Sequence, residues 1–372
     1  MNLIHPDLRT SYRAAADAEV GIGQTRKPGL REGEGGDGAM SRSAWACVRV
    51  LSGAAILAVL FWRLGTGPLL DGLRTISGWS LVAAAGIALV TTVCSAWRWS
   101  LVARGLGVAV PLPAAIAAYY RSQFLNTALP GGVLGDVHRG LQHGRDAGDV
   151  SRGLRAVGWE RLAGQVVQVV LALIVLFALP SPVRSSMPAV LAIAALCVLG
   201  AVGLIRARPP RGTSRWARTL RTASSDVRAG VLAPRTRAAI VLGSVVVVAG
   251  HTATFLIAAR TAGATASSLR LLPLAMLVLL AMTVPTNIGG WGPREGVAAW
   301  LFAATGLGAA QGLAVAAVYG VLVLAASLPG AAVLAISWLG SGSRGSAHAA
   351  GSQLEELAGK ADVPHQPVLV AA

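Results

Sequence analysis

The sequence predicts an all-α integral membrane protein, a polytopic helical bundle of six full spans plus two re-entrant or broken helical hairpins. Three observations carry that prediction. Of 372 residues, 54% are hydrophobic and only 13% charged, where soluble domains carry about 25% charge. The apolar residues come in long blocks, close to the ~20 residues that a lipid-crossing helix needs. The net charge of +16 is mostly arginine and is gathered between the blocks. An ordinary soluble enzyme is excluded, because it needs a polar surface that this composition does not supply.

In chain order, residues 1–43 are polar, glycine-rich and without helical period, and read as a disordered tail. They lack the apolar stretch and cleavage site of a signal peptide, and Met40 stands as an alternative start just before the first span. A transmembrane domain follows over 44–339, with spans at 44–63, 79–97, 157–178, 188–205, 239–259 and 312–338. Two further apolar segments are interrupted. Residues 112–129 contain Tyr119, Tyr120, Arg121, Gln123 and Asn126 and stop at Pro130. Residues 271–284 run into Pro285, and the apolar pattern resumes at 297–306. Short apolar pieces broken by Pro and Gly are the pattern of helices that dip into a membrane and line a protein cavity. Residues 340–372 form a polar C-terminal tail.

Arginine placement orients the chain. With the N-terminus inside, the inner loops hold Arg98 and Arg104, then Arg139, Arg145, Arg152 and Arg155, then nine arginines over 206–237 against the single acid Asp226. The outer loops hold Arg63, Arg74, Arg184, Arg260 and Arg270. This is a positive-inside bias for a cell (inner) membrane protein with both termini cytoplasmic. A basic run between apolar blocks marks a membrane loop and not a nucleic-acid site, and Trp216 and Leu220 would let it lie on an anionic leaflet. The order span, span, hairpin, span then occurs twice with opposite orientation, the layout of an inverted repeat. The rival is eight full crossings.

The chemistry-bearing residues are few. The first break runs Asn126-Thr127-Ala128-Leu129-Pro130-Gly131-Gly132-Val133-Leu134-Gly135-Asp136-Val137-His138-Arg139. Pro130 stops the helix, the glycines permit turns that aim backbone N–H groups at an anion, and Asp136 and Arg139 share a helical face. The plainer reading is a solvated turn. The second break has the same grammar, Val284-Pro285-Thr286-Asn287-Ile288-Gly289-Gly290-Trp291-Gly292-Pro293-Arg294-Glu295. Arg294 suits bidentate phosphate contact, and Glu295 pairs with it or with an arginine of the other half. The plainer reading is a charge pair pinning two hairpins together. In the third span, Glu160, Gly164 and Gln168 form a polar stripe widened by Arg161 and Gln165. A buried Glu160 would carry a proton unless an arginine holds it ionised; the alternative is an interfacial anchor. His251, deep in the fifth span, is a candidate proton relay or a packing histidine bonded to a neighbouring helix. Cys47, Cys94 and Cys197 are scattered singly, with neither zinc nor disulfide spacing, and no motif calls for a metal or another cofactor. No nucleophile–base set, P-loop or dinucleotide fingerprint is visible, so enzyme activity is not expected.

At these residues the chain resembles a known family. Phe124-Leu125-Asn126, Leu129-Pro130-Gly131-Gly132, Gly135-Asp136 and Arg139, then Glu160-Arg161-Leu162 and Gly164, then Pro285, Gly289-Gly290-Trp291-Gly292 and Arg294-Glu295-Gly296, then Leu328-Pro329-Gly330 follow the lysylphosphatidylglycerol synthase transmembrane-region family, also called the flippase-like domain family. The likeness runs from about 45 to 340. It implies a membrane domain that handles lipids or lipid-linked glycans. In bifunctional members this domain flips an aminoacylated phospholipid made by a cytoplasmic transferase domain, for which only the polar tail stands after Gly340 here. The expectation is therefore a translocase of an anionic phospholipid or polyprenyl-phosphate-linked lipid. Asn126, Gly131, Gly132, Asn287 and Gly290 would form its substrate site; Arg139, Arg161 and Arg294 would bind phosphate there, and Asp136, Glu160 and Glu295 would position them or exchange protons. The alternative is a non-transporting scaffold that docks a separate lipid-modifying enzyme through the 206–237 loop.

Overall fold

The computed structural model describes residues 66–129, 132–182, 214–283 and 292–361, with a few single positions between them. The tail 1–43, the spans expected at 44–63 and 188–205, and Gly131, Asn287 and Gly290 fall outside the described residues. Those residues form ten α-helices and no strand: α1 Gly67–Arg74, α2 Gly78–Gly105, α3 Leu112–Ala128, α4 Leu134–Asp146, α5 Val150–Ala178, α6 Arg215–Asp226, α7 Pro234–Thr261, α8 Ser268–Ala281, α9 Pro293–Ala304 and α10 Ala309–Ala361. A π-helical turn, Val227–Val231, continues α6.

Four of these are long and apolar enough to cross a membrane: Gly78–Gly105, Val150–Ala178, Thr236–Thr261 and Ala309–Ser337. They coincide with four expected spans, extended at their ends by local chemistry. At the start of α2 the Ser77 and Ser80 hydroxyls each accept the other's backbone N–H at 3.2 Å, which satisfies two groups that a helix start leaves open. The Asp149 carboxylate accepts the Arg152 N–H at 2.9 Å and starts α5 well before the apolar run. Pro234 opens α7 and Pro293 opens α9, where a missing N–H costs little. Helix α10 runs on into the C-terminal tail as far as Ala361.

The interrupted segments are helix–break–helix pairs, α3/α4 and α8/α9. Each break contains a glycine with positive φ, Gly132 at 62° and Gly292 at 126°, a backbone conformation that a side chain would strain. Asn126 stitches the first pair together: its carbonyl oxygen accepts the Gly135 N–H at 2.8 Å across the break.

The two halves repeat one another. The starts Gly78 and Leu112 recur at Pro234 and Ser268, 156 residues on in both cases; Leu134 and Val150 recur at Pro293 and Ala309, 159 on in both. Packing follows the same exchange. Helix α3 packs on α10 as α8 packs on α5; α4 packs on α5 as α9 on α10; and α2 on α10 as α7 on α5. Even α1, packed on α10, has its counterpart in the π-helical turn packed on α5. The pairing reaches individual atoms. A methyl added at Gly153 would lie 2.6 Å from the Gly140 carbonyl oxygen, and one at Gly312 would lie 2.4 Å from that of Ala298. The counterparts α2 and α7 run antiparallel: Gly243 faces Arg98 and the Cys94 carbonyl, while Gly250, seven residues later, faces Thr91 and Ile87, seven earlier. That antiparallel pairing is the arrangement of the inverted repeat that the order of segments predicts.

Each half has its own apolar core, with Trp99 in one and Phe255 at the corresponding place in the other. Alanine dominates the contact faces in both, which lets helices approach closely where lipid offers no hydrophobic drive to associate. Outward faces remain apolar. Along α5 the exposed residues Leu162, Val166, Val170, Ile174 and Phe177 recur every three or four positions.

Candidate functional site

The polar residues of the first half converge on the junction of α2, α3, α4 and α5. Asp136, at the third position of α4, accepts from Ser122 Oγ, Asn126 Nδ2 and Arg139 Nη2 at 3.0 Å each, and from Arg161 Nη2 at 2.5 Å. Burial alone would raise its pKa, but the Arg161 and Arg139 guanidiniums, with the Asn126 amide, bring it down to about 2. Asp136 is therefore a fixed anion and not a proton carrier at physiological pH.

Glu160 lies one layer deeper. It forms a close ion pair with Arg98, lies 3.5 Å from Arg139 Nη2 and accepts from the Tyr119 hydroxyl at 3.2 Å. Because α5 begins at Val150, Glu160 is about 15 Å along the helix, inside the bundle and not at its rim. Arg98 donates to Ser244 Oγ at 2.5 Å and so ties α2 and α5 to α7. The Arg139 guanidinium sits over the rings of Trp99, at 4.4 Å, and Tyr119, at 4.1 Å. Aromatic faces replace part of the hydration that a buried cation loses.

In the second half, Glu295 takes the third position of α9, the place that Asp136 holds in α4. One carboxylate oxygen accepts the Gly292 N–H at 2.7 Å, and the other binds Arg294, with Nε at 2.8 Å. The Arg294 guanidinium lies 5.6 Å from the Tyr319 ring, and the Tyr319 hydroxyl shares a hydrogen bond of 3.2 Å with His251 Nδ1.

Both groups meet a central cavity of about 280 Å³. Its wall includes Arg98, Arg161 and Arg294, together with Gln165, Gln168 and His251. Arg161 lies within the bundle, yet 41% of its side chain is accessible, because it faces this space. Among the described residues, the ion pairs around it join four arginines (98, 139, 161, 294) to three carboxylates (136, 160, 295). The breaks at 130–131 and 284–291 contain no charged residue. Several guanidinium N–H groups, Nε of Arg98 and Arg161 among them, have no hydrogen-bond partner among the described residues. Among those residues no group of His, Cys, Asp and Glu is placed to hold a metal ion.

The sequence-derived site residues divide into two sets. Asn126, Gly132, Arg161, Arg294 and His251 line the cavity. Asp136, Arg139, Glu160 and Glu295 are buried behind that lining and hold the arginines in place. Two expectations are corrected. Arg139, counted above as a loop arginine, lies in α4 and is 1% exposed. Arg98, also counted above as a loop arginine, is inside α2, 5% exposed, and is the principal partner of Glu160. The signal was present, since the uncharged stretch Trp99 to Ala103, apolar but for Ser100, precedes the next charge, Arg104. Tyr119, Trp99 and Ser244, which complete the cluster, carry no sequence mark of their role.

Comparison with curated proteins and with solved structures gives no match. The family profile described as the lysylphosphatidylglycerol synthase TM region matches residues 46–330, a stretch that contains both helix breaks, the buried ion pairs and the cavity. A multi-pass helical membrane protein carrying this charged interior belongs to the lysylphosphatidylglycerol synthase transmembrane-region family.

Proposed function

We propose that this protein is a translocase of an anionic phospholipid or polyprenyl-phosphate-linked lipid, and that the cavity is where the headgroup resides. The supporting observation is Arg161 bordering a cavity inside a bundle of membrane-crossing helices, with 41% of its side chain accessible. A charged group so far from bulk water is costly unless it has a partner. A phosphodiester carries one negative charge and the oxygens that a guanidinium fork binds in pairs. Arg98, Arg161 and Arg294 reach the cavity from α2, α5 and α9, so one headgroup would touch both halves. The Pro–Gly breaks would let the hairpins α3/α4 and α8/α9 open in turn, as the repeated packing favours. The arginines at the ends of α2 and α4 and the starts of α5, α6 and α7 all lie at one end of this arrangement, which supports a cell-membrane location with both termini cytoplasmic.

Reconstitution tests the reading. Proteoliposomes holding a fluorescent phosphatidylglycerol or polyprenyl phosphate should exchange label between leaflets faster than protein-free vesicles. Arg161→Lys, which keeps the charge but loses the fork, should slow exchange about tenfold or more. Exchange equal to empty vesicles for both lipids would reject the proposal.

A further inference from the structure

A second arginine-lined space lies outside the cavity, between α6 and the outer face of α5. There Arg155, Arg215 and Arg218 border a groove of about 760 Å³, with Gly158 and Leu162 on its other wall. The one acid of the 206–237 loop, Asp226, is already engaged: it is buried and accepts from Arg155 Nε at 2.8 Å and Trp159 Nε1 at 3.2 Å. Those bonds fasten α6 to α5 and fix the groove's shape. Arg215 and Arg218 have no ion pair among the described residues, and the loop holds no further carboxylate to balance them. Trp216 beside them is 72% exposed, the place that an interfacial anchor takes at a membrane surface.

Two continuities give the groove a direction. Outward, Leu162 begins the exposed apolar stripe that descends α5 through Val166, Val170 and Ile174 to Phe177. Inward, Gly158 also borders a space of about 330 Å³ whose wall includes Arg161, Gln165 and Gly132, and these same three residues line the central cavity. At Gly158 itself an added methyl would meet nothing within 4 Å, so the helix surface between the two spaces is uncrowded there.

We propose that the α5–α6 groove binds the phosphate of an anionic phospholipid, with its acyl chains on the α5 stripe, as a waiting position from which the headgroup passes Gly158 to Arg161. The binding stands on the groove alone; the hand-over rests on the translocase reading. Two guanidiniums supply paired donors to phosphate oxygens, and the threonine hydroxyls on the same face of α6, Thr219 and Thr222, add polar lining. A free anion would have no use for the apolar stripe, and a docked protein would have none for the passage to the cavity. The stripe and the passage together favour a lipid.

The full-length protein in nanodiscs of phosphatidylcholine with a minor fraction of phosphatidylglycerol supplies the test, with retained lipid read by native mass spectrometry. The wild type should retain phosphatidylglycerol in preference to phosphatidylcholine. Arg215→Ala with Arg218→Ala, both on the surface helix α6, should lower that retention by about tenfold for each guanidinium removed. Equal retention of the two lipids, or retention unchanged in the double variant, would overturn the site. Displacement of the lipid by millimolar inorganic phosphate would make it an ion site, and capture of a soluble protein through these arginines without lipid preference would make it a docking surface; either result overturns the proposal. In vesicles, the double variant should slow leaflet exchange when phosphatidylglycerol is scarce and recover when it is abundant. Loss of retention with unchanged exchange at low phosphatidylglycerol would remove the waiting role. A wild type that retains phosphatidylglycerol but moves none would count against the translocase reading and leave the groove standing.

Discussion

The two halves place an acid at the same point and neutralise it in different ways. Asp136 and Glu295 are each the third residue of the second hairpin helix, 159 residues apart, and both are buried. In the first half Arg139 of the same helix supplies one counter-charge and a second crosses from the following span, as Arg161 of α5. In the second half the counter-charge comes from the neighbouring residue, Arg294, within α9 itself. The residue 159 after Arg161 is Gly320, and a methyl there would lie 2.2 Å from Arg294 Nη2. The missing side chain on α10 makes the room that the Arg294 guanidinium fills. The two solutions put a cation in the same region from opposite helices. They differ in what they bind together: the Asp136–Arg161 pair ties its hairpin to a span, while the Arg294–Glu295 pair travels with its own helix. Relative movement of hairpin and span therefore breaks an ion pair in the first half and spares one in the second.

The largest test of this contrast is the removal of one buried acid from each half. Glu160→Gln removes the acid paired with Arg98 and one of the two acids near Arg139, and losing one partner of a buried pair costs about 3–5 kcal/mol. Glu295→Gln removes an acid from a single arginine and should cost less. Thermal unfolding of the two variants in detergent measures the difference, and equal losses would mean that the halves are not anchored differently. A swap is the next step down. Gly320→Arg alone and Arg294→Gly alone should each destabilise, the first by collision and the second by leaving Glu295 unpaired. Together they rebuild the first half's design in the second, and the double variant should recover about 0.5–3 kcal/mol relative to the sum of the singles. Strict additivity would show that the Gly320 space and the arginine are unconnected.

The smallest effect is a pH dependence. The Asp136 pKa, about 2 in the folded protein, is below the ~3.9 of an unperturbed aspartate. Its contribution to stability is therefore complete above about pH 4 and is lost as pH falls toward 2. The stability gap between wild type and Asp136→Asn should stay constant from pH 5 to 8 and close below 4. A gap that already closes between pH 7 and 5 would mean that Arg161 does not hold the carboxyl ionised.

Much of this was legible without coordinates, for a definite reason. A helix that crosses lipid must satisfy its own backbone and present apolar side chains outward, so span positions are written locally in the chain. Pro and Gly act on the backbone where they stand, and the breaks at Pro130 and Pro285 duly separate α3 from α4 and α8 from α9. The repeated order of segments showed as an alternation of long and interrupted blocks. The three charged clusters could be found because charge is scarce in such a chain.

What the chain order hides is which charges meet. Arg98 and Glu160 are sixty-two positions apart, and Arg98 resembled a loop residue because charge alone cannot report depth. Ser244 joins them from the other half, Trp99 and Tyr119 take up Arg139, and Gly320 matters only because Arg294 points at it. These relations depend on helix rotation and crossing, which are set by packing among all the helices at once. By itself the sequence determined a polytopic helical membrane protein, its two broken hairpins and the short roll of charges that belong to its interior. The tertiary structure alone decided which of those charges cancel, which stand behind the wall and which face the cavity, because ion pairing acts across space and the chain order records only neighbours.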